Sequence, residues 1–375
     1  MKAYLDNAAT TPVCPEAAQA ALRMMTDDFG NPSSTHAPGR AARDVLTRAR
    51  ATIAASLAAR PEEIYFTAGG TESDNWALRS GAQKMRHQGR HIISSTIEHD
   101  AIRKSLDELE HLGYEVTRLT PAADGSIHAD ALAAALRPDT IMVSLMLVNN
   151  ETGAINDIAA FARAIKAAGC PALLHTDAVQ GYGKLAFTAK SLGADMISLS
   201  AHKINAMKGT GALYVKGGLK LPALLLGGGQ EAALRSGTEN MPGIAAFAAA
   251  VEAAKADKGY IERMAALRAH ILDRLQAENP QLVVIGGGAP HLLCVSLPGW
   301  RSEVLLNYLD AKGVSISKGS ACKRGGRSHV LEAMGLDARV IDGAVRISLS
   351  RLTTQEEADY FCDCFTEARH TLLST

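Results

Sequence analysis

The stretch MISLSAHKINAMKG places a lysine directly after a run of apolar residues that is typical of a buried strand. Ser200 and His202 precede Lys203 at the end of this run, and a glycine-bearing loop follows before the next strand. An ammonium group at the inner edge of a sheet is costly to bury unless it is paired or loses its proton. Because the neutral amine is the form that makes a Schiff base, the sequence predicts that Lys203 binds a carbonyl compound covalently.

A second stretch, EIYFTAGGTESDN, has the pattern of a strand, a glycine pair and a helix that begins near Gly70 and Thr71. The free backbone N–H groups at such a helix start can bind a phosphate. Strand–glycine–helix junctions are also common as simple turns, so this pattern alone leaves both interpretations open.

The stretch LLHTDAVQGYGK ends an apolar strand with Asp177, and Gln180 follows three residues later. An acid here either belongs to a site at the strand ends or caps the next helix. Together with Lys203, Thr71 and the imidazole of His99 in SSTIEHDAI, it meets the needs of pyridoxal 5'-phosphate (PLP). That cofactor requires a lysine for its aldehyde, a carboxylate for its pyridine nitrogen, a phosphate site and a flat group against its ring.

Cys322 lies in SKGSACKRGG, between small residues and next to two cations, Lys323 and Arg324. Neighbouring positive charges lower the pKa of a thiol and favour the nucleophilic thiolate. Gly319, Gly325 and Gly326 would give the loop conformational freedom. A reactive thiol on a movable loop is therefore predicted, and the alternative is a merely exposed cysteine in a turn.

Arg346 occupies an alternating strand pattern, AVRISLS, in which one face should be apolar. Its guanidinium offers a two-pronged donor set that suits a carboxylate. The alternative is an edge-strand arginine in a surface ion pair.

Short β-branched runs alternate with alanine-rich helical patterns through the first two-thirds of the chain, and IMVSLMLV is apolar on both faces, as a central strand should be. This alternation predicts an α/β fold with a mostly parallel sheet between helices. After the segment AAKADKGYIERMAALRAHILDRL, which predicts one long linking helix, strands dominate. We therefore expect a large domain over residues 15–257 and a small α+β domain made of residues 1–14 and 258–375.

The 375 residues are 47% hydrophobic and 21% charged, with 39 basic and 39 acidic side chains. This balance gives no global field that would favour nucleic acid or an anionic membrane. The N-terminal MKAYLDNAATTP lacks the apolar core of a signal peptide, and the six cysteines are scattered without metal-ligand spacing. The sequence predicts a protein of the reducing cytoplasm that holds no metal.

The sequence resembles the cysteine desulfurases of the class V aminotransferase family, which are PLP-dependent enzymes of fold type I, along nearly its whole length. The resemblance rests on YLDNAATTP, FGNPSSTH, TAGGTESDN, STIEHDAI, VNNETGAI, HTDAVQGYGK, SAHK, RSGTEN, GSAC and VRISLSRLTTQEE, which occur in the family's order. It implies a seven-stranded large-domain sheet, PLP as cofactor, L-cysteine as substrate, a homodimer and a sulfur-acceptor protein as partner. It implies no direct contact with nucleic acid or membrane.

The resemblance also implies a role for each matching residue. Lys203 would bind the cofactor's aldehyde, Asp177 its pyridine nitrogen and Gln180 its ring hydroxyl. His99 would stack on the ring and move protons. The phosphate would be held by Thr71, Ser200 and His202 beside Gly70, and by Thr238 of a second subunit. Asn150 and Arg346 would bind the substrate carboxylate, Asn150 also lying at the cofactor, and Cys322 would take the sulfur as a persulfide while alanine leaves.

Two stretches depart from the family pattern: Ala206 and Met207 stand where Gly-Pro is usual, and the loop after Cys322 is shorter and more basic. The related activities of selenocysteine lyase and cysteine sulfinate desulfinase remain alternatives, although they need less help from a thiol such as Cys322. A catalytically silent binding homologue is an alternative of another class. A nucleotide-binding protein is disfavoured because AGGTES lacks the lysine of a P-loop.

Overall fold

The computed structural model of the chain describes residues 1–318 and 326–372. Within these ranges the strands are β1 (Ala3–Tyr4), β2 (Ile64–Thr67), β3 (His91–Ser95), β4 (Glu115–Leu119), β5 (Thr140–Ser144), β6 (Leu173–Asp177), β7 (Met196–Ser200), β8 (Gly211–Val215), β9 (Val283–Ile285), β10 (Leu292–Ser296), β11 (Val314–Ser315) and β12 (Ala344–Ser348). The helices are α1 (Pro15–Thr26), α2 (Ala37–Ser56), α3 (Gly70–Met85), α4 (Asp100–His111), α5 (Ala129–Ala135), α6 (Ile158–Ala168), α7 (Ala189–Leu192), α8 (Met241–Ala256), α9 (Tyr260–Glu278), α10 (Ser302–Ala311), α11 (His329–Ala333), α12 (Ala338–Asp342) and α13 (Gln355–Thr371).

A seven-stranded sheet forms the centre of the fold, in the order β2-β8-β7-β6-β5-β3-β4. Strands β7, β6, β5, β3 and β4 pair in parallel, whereas β8 runs antiparallel to both of its neighbours. Every residue of β5 and β7 is buried, as expected for central strands covered on both faces, and the few polar side chains that they carry are serine and threonine. The predicted α/β class with a mostly parallel seven-stranded sheet is confirmed.

Only the first half of the predicted strand IMVSLMLV forms a strand, because β5 ends at Ser144. The rest of the run stays buried in a loop whose backbone bonds to the end of β6: Leu147 N–H donates to the carbonyl of Asp177 at 2.9 Å. Both the strand and the loop after it are buried and apolar, so the sequence pattern does not show where the strand ends.

A second group of strands follows α9. Strands β12, β10 and β9 form an antiparallel sheet, and β1 pairs with β11 in parallel. A hydrophobic cluster joins Ala3 and Leu5 to residues 264–368, whereas another draws mainly on residues 8–250 but includes Ala289, Leu292 and Val330. These clusters agree broadly with the predicted division into residues 15–257 and residues 1–14 with 258–375, which stays a prediction.

The prediction of one long linking helix is wrong. Helix α8 ends at Ala256 and α9 begins at Tyr260, so the charged segment is broken between them. Gly259 adopts a left-handed conformation with φ 76°, which a continuous right-handed helix excludes. The break places the start of α9 beside the turn after β6, where the Tyr260 hydroxyl donates to the carbonyl of Gly183 at 2.7 Å.

Cys362 and Cys364 both lie buried in α13, and burial raises the pKa of the Cys362 thiol to about 12. No cluster of His, Cys, Asp and Glu side chains in the described ranges is arranged to hold a metal ion. In the same part of the chain, no helix combines the length and apolarity that a bilayer crossing requires.

Candidate active site

A cavity of about 330 Å³ lies at the carboxyl ends of β6 and β7, and we call it the chamber. This position agrees with the rule that ligands of α/β sheets bind at the carboxyl edge of the strands. The chamber is lined by most of the residues that the sequence singled out: Gly70, Thr71, His99, Asn150, Asp177, Gln180, Ser200, His202, Lys203 and Arg346.

Lys203 closes a single 3-10 turn, Ala201–Lys203, that directly follows β7. Its Nζ atom donates to the carbonyl oxygens of Ala8 and Ala9, each at 2.7 Å. The N-terminal segment therefore holds the amine at the chamber wall, at the end of a rigid central strand.

Asp177 is the last residue of β6 and is 8% exposed. Burial raises the pKa of its carboxyl group, and the charges of His99 and Lys203 oppose that effect. Its Oδ1 atom accepts from Val179 N–H at 2.9 Å, so the side chain caps a turn rather than a helix. The helix-cap alternative is therefore wrong, and Asp177 lies among the residues that line the chamber. Gln180 is fixed on the same turn by donating to the carbonyl of Ala8 at 2.9 Å.

The start of α3 forms a cradle in which a side chain would not fit. Gly69 has φ 153°, and a Cβ atom on Gly70 would lie 2.7 Å from a methyl group of Val179. The buried Ser200 stands beside the two glycines, and Thr71 is exposed at the first turn. Free N–H groups, a hydroxyl and an open backbone are the features that a phosphate group needs.

His99 is the N-cap of α4, where its Nδ1 atom accepts from Ala101 N–H at 3.1 Å. His202 contacts the N-terminal segment through Nδ1 and the Thr10 hydroxyl at 3.1 Å. Burial, followed by the charge of Lys203, lowers the pKa of His202 to about 4. His202 is therefore neutral at physiological pH.

Arg346 lies in the middle of β12 and is 2% exposed. Its guanidinium donates to Asp6 Oδ1 and to the carbonyl of Asn150, both at 2.8 Å. The sequence left open an edge-strand ion pair, and β12 is indeed an edge strand of its sheet. The pair is however buried, and it presents the guanidinium to the chamber.

One predicted residue that the structure describes, Thr238, is not among those that line the chamber. Thr238 is exposed. Three residues before it, Arg235 forms an ion pair with Glu72 at 2.7 Å, which joins this loop to the first turn of α3. The assignment of Thr238 to the site of a second subunit stays a prediction. Cys322 lies outside the described residues, as do Lys323 and Arg324.

Several lining groups were missed by the sequence analysis. The backbone carbonyls of Ala8 and Ala9 have no signature in a single sequence, although the stretch YLDNAATTP contains them. The others are ionisable side chains from four separate segments: Asp74, Asp100, Arg103, Glu151, Arg327 and His329. Asp74 was within reach of sequence reasoning, since it lies in the first turns of the predicted phosphate helix.

The departure at Ala206 and Met207 leaves the loop after Lys203 anchored. Ala206 is fully buried and Met207 packs against the main core. Asn205, with φ 65°, binds the N-terminal segment directly: its N–H donates to the Thr11 hydroxyl at 2.8 Å and its side-chain amide to the Pro12 carbonyl at 3.0 Å. These contacts replace the constraint that a proline would supply.

Comparisons with known proteins agree with this geometry. The family model for aminotransferase class-V matches residues 3–361. The chain belongs to the class-V aminotransferase family. A curated relative from Methanosarcina thermophila, named cysteine desulfurase IscS, is 41% identical over 95% of this chain and 89% of its own length.

Solved structures extend the similarity of this class-V family member to three dimensions. A NifS-like protein superposes with a TM-score of 0.93 at 35% identity, covering 99% of this chain and all of the other. A structure described as SspA in complex with cysteine gives 0.83 at 32% identity, covering 94% and 100%. The predicted family and fold class are confirmed, and so is the cofactor, because the family is PLP-dependent. The chamber fits that cofactor, because it brings together the amine of Lys203, the buried acid Asp177 and the glycine start of α3.

Proposed function

We propose that this chain removes sulfur from L-cysteine with PLP, releasing L-alanine and storing the sulfur as a persulfide on Cys322. The activity predicted from the sequence, that of a cysteine desulfurase, is confirmed by the curated relatives. The persulfide on Cys322 and its transfer to an acceptor protein, for iron–sulfur cluster assembly or the thiolation of tRNA or cofactors, belong to the proposal. So do the homodimer and the cytoplasmic location.

The observation that carries the proposal is the meeting of Lys203, Asp177 and Arg346 in one chamber. Lys203 would hold the cofactor's aldehyde, Asp177 its pyridine nitrogen, and the start of α3 with Ser200 its phosphate. When bound, PLP supplies an electron sink that labilises bonds of an attached amino acid. The protein's part is to orient the substrate and to hold protons at defined atoms.

Arg346 would orient the substrate by binding its carboxylate. Asp6 and the Asn150 carbonyl fix the guanidinium at 2.8 Å each, so little side-chain entropy is lost when a ligand arrives. His99 would exchange protons through Nε2, because its Nδ1 atom is occupied as an acceptor at the start of α4. Lys203 would exchange them from its position beside Ala8 and Ala9.

Cys322 is tethered to the chamber on both sides by residues that the structure describes. Ser317 pairs with Arg346 through two backbone hydrogen bonds, at 2.6 and 3.2 Å. Arg327 lines the chamber and is held by Asp342 at 2.7 Å. Cys322 is five positions along the chain from each anchor, which gives a reach of about 18 Å at full extension. The thiol would attack the substrate sulfur, and transfer of one sulfur atom from cysteine to the thiol balances as alanine plus persulfide.

A sulfur-mapping experiment tests this proposal. The holoenzyme is incubated with L-cysteine, treated with an alkylating agent and digested, and mass spectrometry locates the thiol that gained a sulfur atom. We expect the additional sulfur on Cys322. Sustained alanine release with Cys322 unmodified would contradict the assigned mechanism.

Two variants sharpen this result. Cys322→Ser should abolish alanine release from cysteine but spare selenium release from selenocysteine, whereas Cys170→Ser, a half-buried thiol outside the chamber, should change neither. Equal loss of both activities in Cys322→Ser would point to a structural role for that residue.

A further inference from the structure

A fully buried histidine lies directly behind Gln180. His291 immediately precedes β10, and its carbonyl accepts from Leu349 N–H at 2.7 Å. Strand β10 pairs with β12, which carries Arg346. The Nε2 atom of His291 lies 3.4 Å from Gln180 Oε1, a long hydrogen bond. Gln180 lines the chamber and His291 does not, so His291 connects the antiparallel sheet to a side chain of the chamber wall.

The side-chain amide of Gln180 has one orientation that satisfies its neighbours. Its Nε2 atom lies 2.9 Å from the carbonyl oxygen of Ala8, which can only accept hydrogen bonds. The NH2 group of the amide therefore faces Ala8, because the reversed amide would set two acceptor oxygens against each other. The Oε1 atom then faces His291, and only a donor satisfies it there.

This orientation determines which ring nitrogen of His291 carries the proton. Burial holds the pKa of the imidazole well below its usual range, followed by the charges of Lys184, Arg346 and Arg268. A neutral imidazole has one N–H group. On Nε2 it donates to Gln180. On Nδ1, which has no hydrogen-bond partner among the described residues, it would be buried without an acceptor, and Nε2 would face Oε1 as a second acceptor. The proton therefore lies on Nε2.

A continuous chain of contacts runs from His291 to the reactive amine. His291 donates to Gln180, and Gln180 donates to the Ala8 carbonyl. The Nζ atom of Lys203 donates to the same carbonyl at 2.7 Å. The backbone N–H of Ala8 donates to the Ser348 hydroxyl at 2.8 Å, which fixes this peptide from its other side. The tautomer of one buried ring is thus linked to the wall that holds the amine.

The Gln180 amide has a second N–H group. One N–H is used by Ala8, and no other group in the described part of the chain accepts from Nε2. The proposed function assigns Gln180 to the ring hydroxyl of PLP. An N–H group suits an oxygen in that place, whereas a flipped amide would offer Oε1, a second acceptor.

We propose that His291 is a positioning residue of the cofactor site: its Nε2–H group holds the Gln180 amide so that the NH2 group, and not Oε1, meets the ring hydroxyl of PLP. The inference rests on the proposed function, because it uses the assignment of Gln180 to that hydroxyl. His291 acts through Gln180, since it is not among the residues that line the chamber.

Nitrogen NMR of the holoenzyme, isotopically labelled in its histidine rings, tests the tautomer without measuring activity. The chain has 12 histidines, and the ring signals that are missing from His291→Gln belong to His291. We expect the signals of a neutral ring with its proton on Nε2 at neutral pH. A ring with its proton on Nδ1 would overturn the proposal, because Nε2 could then not donate to Gln180.

Three variants separate the position of the donor from the filling of space. A Gln amide can place its NH2 group where Nε2 of a histidine lies, whereas an Asn amide reaches only the position of Nδ1. His291→Gln should therefore bind PLP as the unaltered protein does. His291→Asn and His291→Phe should bind it about tenfold more weakly, because Gln180 Oε1 loses its donor. Titration of the apoenzyme with PLP, followed by absorbance, measures the affinity.

Equal PLP affinity in all three variants would overturn the proposal. So would a loss in His291→Gln as large as that in His291→Phe, since it would show that the shape of the ring matters and its donor does not. Failure of the unaltered protein to bind PLP would instead contradict the proposed function.

His91→Phe is the matched control for loss of a buried histidine. The ring nitrogens of His91 contact the hydroxyls of Thr140 and Thr117, both at 2.8 Å, and His91 begins β3, at the end of the strand opposite the chamber. This variant should unfold at a lower temperature and keep its PLP affinity. A similar loss of PLP affinity in His91→Phe and His291→Phe would show that general destabilisation is sufficient, and the proposal would be wrong.

Discussion

Four acidic side chains lie buried in or next to the chamber: Asp74, Glu98, Glu151 and Asp177. Burial raises the pKa of each carboxyl group, and for Glu98 it does so to about 8. Glu98 accepts from the Ser95 hydroxyl at 2.6 Å and from Met146 N–H at 3.1 Å, and it directly precedes His99. At the scale of the residue, the chamber is thus an environment in which carboxyl groups keep protons at unusually high pH.

Replacing Glu98 by Gln should stabilise the protein at high pH. The pKa of an unfolded glutamate is about 4.3, so between about pH 5 and 8 the unfolded chain has lost a proton that the folded chain keeps. The unaltered protein therefore loses up to about 1.4 kcal/mol of unfolding free energy per pH unit in this range. Gln has no proton to lose, and its advantage should grow from pH 5 to pH 8. Urea unfolding at several pH values measures it.

The control for this prediction is Glu108→Gln, on the exposed face of the neighbouring helix α4. The Glu108 side chain is not buried as that of Glu98 is. We therefore expect the difference in unfolding free energy between this variant and the unaltered protein to be the same at every pH. A flat difference for Glu98→Gln as well would show that Glu98 is ionised in the folded protein.

At the scale of the element, the start of α3 depends on backbone that carries no side chain. Gly70→Ala would place a methyl group 2.7 Å from Val179, on the turn that follows Asp177. Either the helix start or that turn must move, and both line the chamber. We expect the affinity for PLP to fall about tenfold, as measured by titrating the apoenzyme with the cofactor and following absorbance.

Gly81→Ala lies in the same helix and is the matched control. Its methyl group would meet the flexible ends of Met142 and Met196 at 3.2 and 3.3 Å, far from the chamber. Alanine is also the better helix former, so this change should leave PLP affinity unaltered. A similar loss of affinity in both variants would mean that any disturbance of α3 weakens PLP binding. That result would contradict the assignment of the phosphate site to the start of α3.

At the scale of the whole molecule, the exposed Thr238 tests the predicted homodimer. Thr238→Asp would set a negative charge against the phosphate of the site that it serves, and Lys203→Ala removes the covalent attachment point. Each variant alone should bind little PLP as a Schiff base. In mixed dimers, the Lys203→Ala chain would lend its intact Thr238 to its partner, and one site per dimer should recover. Absorbance of the bound cofactor after refolding the mixture measures the recovery.

Absence of recovery in the mixture would show that Thr238 serves its own chain or none. Thr120→Asp, an exposed threonine just beyond β4, provides the control for a surface charge and should bind PLP normally by itself. Light scattering of the unaltered protein should in addition give the mass of two chains.

The sequence by itself determined the chemistry and the fold class. A lysine after β7, an acid at the end of β6 and glycines before α3 lie at strand ends, and strand ends are readable from local patterns of apolar residues. Since parallel strands present their carboxyl ends at one edge, the convergence of Lys203, Asp177 and Gly70 followed from the β–α alternation.

Only the tertiary structure decided which distant groups complete the site. The carbonyls of Ala8 and Ala9 reach Lys203 across some 195 and 194 residues, and Asp6 meets Arg346 across 340. It also decided the break between α8 and α9 and the burial of His291 against Gln180. A single sequence carries no local signal for such long-range contacts. The burial that shifts the pKa values of Glu98 and His291 is a property of every side chain packed around them, so it exists only once the chain has folded.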